Sequence, residues 1–359
     1  MQNKPMPPFS CTFSSNIPEL LWQLNISLAI STYQAGKVVL ISAQDQDHLV
    51  QLPRTFPKAM GIALRGNQLA IATQDEVVVL ANHPDLAASY PVQPNLYDAF
   101  YVPRASYYTS MLDIHDLDWI ESGLCAVNTQ FSCLSLINDQ YSFTPIWKPS
   151  FISELKQGDR CHLNGLAVKD GKPAYITALG QTDSPEGWRE NKINGGILMD
   201  VDSGEVILDQ LAMPHSPRLV KEDLYLLLSA KGELVKVNLR HKSYEVIRAL
   251  PGFARGLAFY EDYWFIGLSK LRTTSATFQD LPIAGQSVFA GIIILHGPTR
   301  SMVGQIKYET SVEEIFDVQV IPGVRRPGIL NTEKSIYKMA VSSPEGSFWG
   351  EGNTQELKQ

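Results

Sequence analysis

The stretch "CHLNGLAV" at residues 161–168 places a polar cluster directly before an apolar run, and it decides the fold because the pattern recurs along the chain. Short β-branched and aliphatic runs between turn residues are typical of buried strands. The polar openings are "PKAMGIAL" (57–64), "DIHDLDW" (113–119), "CHLNGLAV" (161–168), "PHSPRLV" (214–220), "GFARGLAF" (252–259) and "EIFDVQV" (314–320).

Further strands follow every opening except the last. The second strands are "NQLAIATQ" (67–74), "GLCAVNTQ" (123–130), "PAYITALG" (173–180), "DLYLLLSA" (223–230) and "YWFIGLSK" (263–270), and third strands come after them. Helical periodicity is hard to find. Repeats of roughly 40–50 residues with about four strands each predict an all-β chain folded as a β-propeller.

The two ends of the chain complement each other. "SLAISTYQ" (27–34) resembles a second strand and is followed by third and fourth strands, but no opening strand precedes it. "EIFDVQVIPG" (314–323) is an opening strand without followers. Pairing the two completes one blade and removes the exposed edges of an open ring. The sequence therefore predicts that N- and C-terminal strands pair to close the propeller.

Six blades are the predicted number, with seven as the alternative if residues 84–111 contain additional strands. The predicted organisation is an N-terminal extension at 1–24, a single propeller domain at 25–323 and a C-terminal tail at 324–359.

Charge and composition favour some partners over others. The chain has 37 acidic and 30 basic residues, a net charge of −7, which argues against nucleic acid and anionic membranes as partners. No apolar segment has the length of a signal peptide or a membrane span, so we expect a cytoplasmic protein. The four cysteines lack metal-binding or disulfide-framework spacing. A small-molecule substrate is the favoured partner, and the sequence leaves the oligomeric state open.

In a propeller, inner strands begin and second strands end on the same face, so these loops line one mouth of the central channel. Unusual polar residues concentrate in these loops. At the openings they are Lys58, His115, Asp116, His162, Asn164, His215, Ser216, Arg218, Arg255, Glu314 and Asp317; at the second-strand ends they are Tyr33, Gln34, Gln74, Asn128, Thr129, Gln130, Ser229, Ser269 and Lys270. The alternative interpretation is that such residues only fill the channel and bond neighbouring blades.

Two long connections follow second strands, at 180–196 and 271–289. Loops of this length are often functional. Both would overhang the same mouth, and their larger side chains, Trp188, Arg189, Arg272 and Phe278, would cover a ligand there. The alternative is that they are plain surface loops.

Three histidines, His115, His162 and His215, lie one blade apart. Consecutive blades are neighbours around the channel, so three neutral imidazoles would converge on one divalent metal ion, Zn²⁺, Fe²⁺ or Cu²⁺, with an open position for water or substrate. Counted back from the first apolar residue of each strand, His115 lies nearer its strand than the other two.

A metal-free interpretation uses the same mouth. Lys58, Arg218, Arg255 and Lys270 would bind an anionic ligand, and His115 would act as a general base. The predicted catalytic residues are His115, Asp116, Arg255 and Lys270. The predicted substrate-binding residues are Lys58, Gln74, Asn128, Asn164, Arg189, Arg218 and Arg272. Cys161 neighbours His162 in a strand, so it faces the opposite side and is predicted to pack between blades.

The stretches "HDLDW", "AVNTQFSCLSLI", "CHLNGLAV", "MPHSPR" and "LPGFARGL" resemble an uncharacterised bacterial propeller family over nearly the whole chain. That resemblance implies the fold and no catalytic residues. A more distant likeness is to the propellers of gluconolactonases and peptide-amidating lyases, which bind a divalent metal in the channel mouth. The chain departs from the lactonase pattern of carboxylate and asparagine ligands and is nearer the histidine-rich amidating-lyase type.

The sequence thus predicts a metal-dependent lyase, hydrolase or isomerase acting on a small polar, anionic substrate in the channel mouth. The alternative is a non-catalytic propeller that binds a protein or peptide at the same face.

Overall fold

The computed structural model describes residues 6–271 and 278–351, and these residues form a ring of six antiparallel sheets. The elements are, in chain order, β1 (Cys11–Phe13), α1 (Ile17–Leu24), β2 (Ile26–Thr32), β3 (Lys37–Ala43), β4 (Leu49–Thr55), β5 (Ile62–Arg65), β6 (Gln68–Ala72), β7 (Glu76–Asn82), α2 (Pro84–Ala88), β8 (Ala99–Tyr108), β9 (Ile114–Ile120), β10 (Gly123–Asn128), β11 (Cys133–Ile137), β12 (Thr144–Trp147), β13 (Leu163–Lys169), β14 (Lys172–Ala178), a 3-10 helix (Gly187–Asn191), β15 (Gly196–Asp200), β16 (Val206–Leu211), β17 (Pro214–Val220), β18 (Asp223–Leu228), β19 (Glu233–Asn238), β20 (Ser243–Ala249), β21 (Phe253–Tyr260), β22 (Tyr263–Ser269), β23 (Gly291–His296), β24 (Ser301–Tyr308), β25 (Asp317–Pro322), β26 (Pro327–Ile329), a second 3-10 helix (Ser335–Met339), β27 (Ala340–Ser343) and β28 (Gly346–Trp349).

Each sheet is one blade. From the channel outward, blade 1 is β25, β2, β3 and β4, and blades 2 to 6 follow along the chain as β5 to β8, β9 to β12, β13 to β16, β17 to β20 and β21 to β24. The inner strand of every blade contacts the inner strand of the next, and β25 contacts both β21 and β5. The all-β, six-bladed propeller is therefore confirmed.

Blade 1 closes the ring with strands from both ends of the chain. β25 pairs antiparallel with β2 from Asp317 opposite Ser31 to Pro322 opposite Ile26, as predicted. The seven-blade alternative is wrong. Residues 84–111 contain one helix, α2, and one strand, β8, and β8 is the fourth strand of blade 2.

The terminal segments extend two blades. β1 pairs with β24 at the outer edge of blade 6, and β26 pairs in parallel with β8 at the outer edge of blade 2. Covering an outer strand removes an edge that would otherwise offer unpaired backbone groups. α1 packs on β2 and β3 through its buried residues Ile17, Leu20 and Leu21.

Within the described ranges, no helix combines the length and the apolar character that crossing a bilayer requires.

The core lies between blades, because both faces of each inner and middle strand are covered by neighbours. β2 is buried at all seven positions, and its polar residues are the small hydroxyl side chains Ser27, Ser31 and Thr32. Cys161 lies fully buried against Cys125, Leu163 and Ile176 between blades 3 and 4. Burial raises the pKa of the Cys161 thiol to about 12. Cys161 therefore packs as a neutral thiol, as predicted.

Side chains of blades 1, 3 and 5 bind backbone amides of the next blade along the ring. Asp317 Oδ2 accepts a 3.0 Å hydrogen bond from the amide of Ile62, and Asp116 Oδ2 accepts one of the same length from Leu166. In blade 5 the equivalent acceptor is the Ser216 hydroxyl, which receives the amide of Gly256 at 3.0 Å.

Blades 2, 4 and 6 contact the following blade through a glycine. A Cβ atom on Gly61 would lie 2.9 Å from Asp116 Cα, and one on Gly256 would lie 2.8 Å from the amide nitrogen of Val318. Gly165 packs in the same way against Ser216 and Pro217. Hydrogen bonds and close backbone contacts thus alternate around the ring, so the repeating unit at the channel is a pair of blades.

We expect Gly165→Ala to destabilise the protein by about 1–3 kcal/mol through overpacking. A methyl group there would lie 2.6 Å from Thr177 Oγ1 and would also meet the Pro217 ring. Urea unfolding followed by circular dichroism measures the change. Gly285→Ala is the matched control, because a Cβ atom there meets nothing within 4 Å. Equal stability of the two variants would contradict the close-packing argument.

Candidate functional site

The centre of the channel holds an ion cluster built from blades 1, 3 and 5. Arg218 Nη1 donates to Asp116 Oδ2 at 2.9 Å, and Arg218 Nη2 donates to Asp116 Oδ1 at 3.3 Å and lies 3.7 Å from Asp317 Oδ1. Burial opposes the charge of Arg218, but the two carboxylates outweigh it and raise the arginine pKa. Arg218 is thereby committed to structural partners, which leaves its predicted role in substrate binding without support.

Burial has the opposite effect on the pKa of Asp317, the second carboxylate of the cluster. It raises the pKa of Asp317 to about 7, against the pull of the Arg218 guanidinium. Asp116 accepts from both Leu166 and Arg218, so this predicted catalytic residue also serves the contact between blades.

His115 and His215 make equivalent contacts in blades 3 and 5. His115 Nδ1 lies 3.0 Å from the carbonyl oxygen of Asp113 and 2.9 Å from Thr129 Oγ1. His215 Nδ1 lies 3.0 Å from the Met213 carbonyl oxygen and 2.9 Å from the Ser229 hydroxyl. A carbonyl partner requires that Nδ1 carries the proton.

Both histidines are neutral in the folded protein. Burial lowers the pKa of His115 to about 4, and burial with the nearby charge of Arg255 lowers the pKa of His215 well below its ordinary value. In the sequence, His115 and His215 lie at different distances from the first apolar residue of their strands. In the structure, they make equivalent contacts. Both are the second residue of a seven-residue inner strand, and a register shift of one residue occurs at each of them. The distance to the first apolar residue differs because Pro217 and Arg218 stand in blade 5 where Leu117 and Asp118 stand in blade 3.

His162 differs from the other two histidines in backbone and partner. It has a φ of +51° and lies at the turn before β13. Its Nδ1 lies 2.9 Å from Asp159 Oδ2, and the same oxygen accepts the indole N–H of Trp188 at 3.0 Å. Its ring lies between Trp188 and His115, with centroids 4.4 and 4.6 Å away. Within the described residues Nε2 has no hydrogen-bond partner, so it is available as an acceptor.

Arg255 lies among buried aromatic and polar groups. Its guanidinium is 4.4 Å from the ring of Phe316, and Nη1 lies 3.4 Å from Glu314 Oε1. Nη2 lies 3.4 Å from Nε2 of His215. Nε of Arg255 finds no partner in the described part of the chain. Burial lowers the pKa of this arginine.

The predicted metal centre gains no support from this arrangement. In residues 6–271 and 278–351, no group of three histidine, cysteine or carboxylate side chains is placed to hold a metal ion. The Nδ1 atoms of His115, His162 and His215 each face an oxygen acceptor, and His215 Nε2 faces a guanidinium instead of an open position. Ligation of Zn²⁺, Fe²⁺ or Cu²⁺ stays a prediction.

The channel at the level of these residues is filled. The cavity that remains has a volume of about 10 Å³, and its lining includes His115, Asn164, His215, Arg218 and Arg255. A space of this size holds about one water molecule. The interpretation of channel-filling polar residues therefore describes this level of the ring.

A larger cavity of about 280 Å³ lies at the mouth. Its lining comes from blades 1, 2 and 3 and from the segment before β13, and consists of Tyr33, Lys58, Met60, Gln74, Met111, Asp113, Gln130 and Gln157. Lys58 Nζ lies 5.7 Å from the centroid of the Tyr33 ring. Gln157 Nε2 donates to Gln130 Oε1 at 3.4 Å. The structure thus brings two predicted binding residues, Lys58 and Gln74, together in one cavity.

The two asparagines predicted to bind substrate, Asn128 and Asn164, make hydrogen bonds to the backbone and between blades. Asn164 Nδ2 donates to the carbonyl of Pro214 in the next blade, and its Oδ1 accepts the hydroxyl of Thr177. Asn128 Oδ1 accepts the amide of Phe131 in the turn after β10. Neither side chain lines the mouth cavity.

The remaining predicted residues lie around the rim. Arg189 stacks on Trp188 at 4.4 Å and pairs with Glu186 at 2.9 Å. Lys270 is exposed at the end of β22, and Arg272 lies outside the described residues. Trp188 is only 3% exposed because it packs against His162.

Sequence reasoning missed six residues of the site, which are Met60, Met111, Asp113, Gln157, Asp159 and Phe316. A signal for the two aspartates was present, since a carboxylate stands two residues before His115 and three before His162. Phe316 precedes Asp317 as His115 precedes Asp116, so only an alignment of alternate blades would have found it.

We expect Arg218→Met to lower the free energy of unfolding by about 3–5 kcal/mol, because it leaves two buried carboxylates without their cation. Thermal and urea unfolding at pH 7 measure the loss. Arg240→Met, at an exposed arginine of the turn after β19, should change stability by less than about 0.5 kcal/mol. A stable Arg218→Met protein would instead assign this arginine to ligand binding.

Comparisons with known proteins assign the chain to a family. A family model described as "Domain of unknown function (DUF4915)" matches residues 15–330, so the chain belongs to that family. Membership of an uncharacterised propeller family is thereby confirmed, whereas the likeness to lactonase and lyase propellers stays a prediction. Comparison with curated proteins gave no match. A crystal structure of a nidogen/laminin complex is similar over 83% of this chain and 99% of that chain, with 7% identity and a TM-score of 0.49. The blade assignment rests on the strand order of the six sheets.

Proposed function

We propose that this member of the DUF4915 family binds a small organic acid with hydroxyl or amino groups in the cavity at its channel mouth. The observation that carries the proposal is the lining of that 280 Å³ cavity, in which one lysine, one aspartate and three glutamines face the same space. Its volume is near the lower end of small-molecule sites, about 300 Å³.

The chemistry of the lining selects the ligand class. Lys58 offers a cation for a carboxylate, and Asp113 accepts hydrogen bonds from hydroxyl or ammonium groups. The amides of Gln74 and Gln130 both donate and accept, which suits a polyhydroxylated or amino-bearing acid. Met60 contributes apolar surface to the same cavity.

The wall beneath this cavity is rigid. Asp113 presents its carbonyl to His115, and Gln130 accepts the amides of Gly158 and Asp159 through its own carbonyl. Lys58 has a φ of +50°, a sparsely populated conformation that surrounding contacts must hold. Such preorganisation reduces the entropy lost on binding.

Lys58→Met should weaken binding of the preferred acid at least tenfold, because it removes the cation that faces the carboxylate. Calorimetric titration with a panel of sugar acids and amino acids, each beside its uncharged amide or alcohol, measures the effect. Lys270→Met is the matched control, since Lys270 lies exposed at the rim and does not line the cavity. The proposal fails if no acid binds saturably, or if the two lysine variants bind equally.

Acid–base catalysis at the same mouth is the second candidate function, and the pair of His162 and Asp159 supports it. The Asp159 carboxylate favours the tautomer with a proton on Nδ1 and leaves Nε2 as the basic atom. Trp188 fixes the same carboxylate from the other side. An imidazole oriented in this way suits proton transfer in a lyase, isomerase or hydrolase.

His162→Gln should reduce turnover about 10²–10⁴-fold if His162 transfers a proton. The assay offers lactones, dehydratable hydroxy acids and epimerisable acids to the wild type and the variant, with kcat followed against pH. His241→Gln, at an exposed turn, is the control. Elemental analysis of the same preparations, purified without chelators, checks the predicted metal. Turnover that His162→Gln leaves unchanged would exclude the role of this residue.

The scaffold alternative calls for aromatic anchors around the mouth. Tyr108, at the end of β8, Met111, Leu155 and Val288 are exposed large apolar side chains at this end of the described residues. Among these four only Tyr108 is aromatic, so a peptide partner finds few of the aromatic anchors that interface hot spots use.

A further inference from the structure

A second cavity lies away from the channel, where the two ends of the chain meet blades 1 and 2. Its volume is about 420 Å³, larger than the cavity at the mouth. One wall is the end of β4 with Lys37 of β3, and the opposite wall comes from residues 330–336 that follow β26. Phe9, ahead of β1, and Tyr90 and Val92, after α2, complete the lining.

Two cations face this space from blade 1. Arg54 donates through Nε to the carbonyl of Ile329 at 3.1 Å and through Nη1 to the carbonyl of Pro53 at 2.9 Å. These bonds hold the guanidinium in place, and its Nη2 has no partner in the described part of the chain. Lys37 contacts Thr55 through Nζ and has further N–H groups to offer. The lining also includes Lys334 and Glu333, so it carries three cations and one carboxylate. Glu333 Oε2 accepts a hydrogen bond from Asn331 Nδ2 at 3.1 Å.

Tyr90 adds an aromatic ring and a hydroxyl group to the cavity. Tyr90 is held by ring contacts with Phe100 and Trp349 at 4.8 and 5.6 Å, and its hydroxyl makes no hydrogen bond to a described residue. Burial raises the pKa of Tyr90, and the charge of Arg54 acts on it in the opposite direction. The hydroxyl is therefore protonated and lies within the field of that arginine. Leu330 and Ile336 supply apolar surface.

We propose that this cavity binds an organic carboxylate with an apolar body, its carboxylate paired with Arg54 and Lys37 and its body against Leu330 and Ile336. A concave cavity that combines apolar surface with convergent polar groups suits a small-molecule ligand. The guanidinium is fixed by backbone carbonyls before the ligand arrives, so little side-chain entropy is lost on binding. This site is separate from the channel mouth and shares no lining residue with it.

The location gives binding a measurable effect on stability. The lining joins an N-terminal residue, Phe9, to the segment after β26 and to blade 1, which the two chain ends build together. A ligand that binds only the folded chain raises its melting temperature, and the rise grows with the logarithm of the ligand concentration above Kd.

The probe for the test is 2-naphthoate, with 2-naphthylmethanol as its neutral counterpart. We expect saturable binding of 2-naphthoate by calorimetry and a rise in melting temperature, at least tenfold weaker binding in Arg54→Met, and at least tenfold weaker binding of the alcohol to the wild type. Lys37→Met should also weaken binding of 2-naphthoate. This second variant tests the proposal if Arg54→Met does not fold.

Arg104→Met is the matched control. Arg104 also follows a proline in an outer strand and donates to the carbonyl of that proline, Pro103, and to Ala340, but it does not line the cavity. Arg104→Met and Lys58→Met should bind 2-naphthoate within twofold of the wild type. No saturable binding, equal weakening in Arg104→Met, or equal affinity for the alcohol would overturn the proposal.

Discussion

The structure depends on how the inner strands contact each other around the channel. Asp317, Asp116 and Ser216 each accept an amide of the following blade, and a glycine in that blade lets the next inner strand approach within van der Waals distance. A buried aspartate that accepts hydrogen bonds from a backbone amide and from an arginine has partners for both carboxylate oxygens. Because the contacts form a closed circuit, no blade can shift without disturbing two neighbours.

This circuit determines where ligand chemistry can occur. It uses the cation Arg218 and the carboxylates of Asp116 and Asp317 to hold alternate blades, and it leaves room for about one water molecule at their level. Groups that remain available lie above it, at the turn residues that precede the inner strands. Lys58, Asp113 and His162 all occupy the left-handed region there, and two of them line or face the mouth cavity. Residues that hold the ring together thus lie deep in the channel, and residues that are available to a ligand lie nearer its mouth.

Much of the fold was predictable, and less of the site. Apolar runs of strand length and the unmatched ends of the chain were sufficient for six blades and for closure in blade 1, because strand pairing in a propeller follows chain order. The site depends on side-chain partners that chain order does not specify. Arg218 resembles a ligand-binding arginine until its distance to Asp116, about 100 positions earlier, is known. Asp159 lies in a loop without pattern, and only the fold brings it to His162 and Trp188 together.

Closure by β25 also determines the order of assembly. The bond from the amide of Asp317 to the Ser31 hydroxyl spans 286 positions, so blade 1 lacks its inner strand until nearly the whole chain has been synthesised. Until then the inner edge of β2 is open, and the circuit of the other five blades ends at two unpaired faces. Loop-closure entropy grows slowly with length, so this late step is thermodynamically accessible. Ring closure is therefore a late event of biosynthesis, and a chain halted before residue 317 exposes the inner edge of β2 and the surfaces of β5 and β21 that β25 covers.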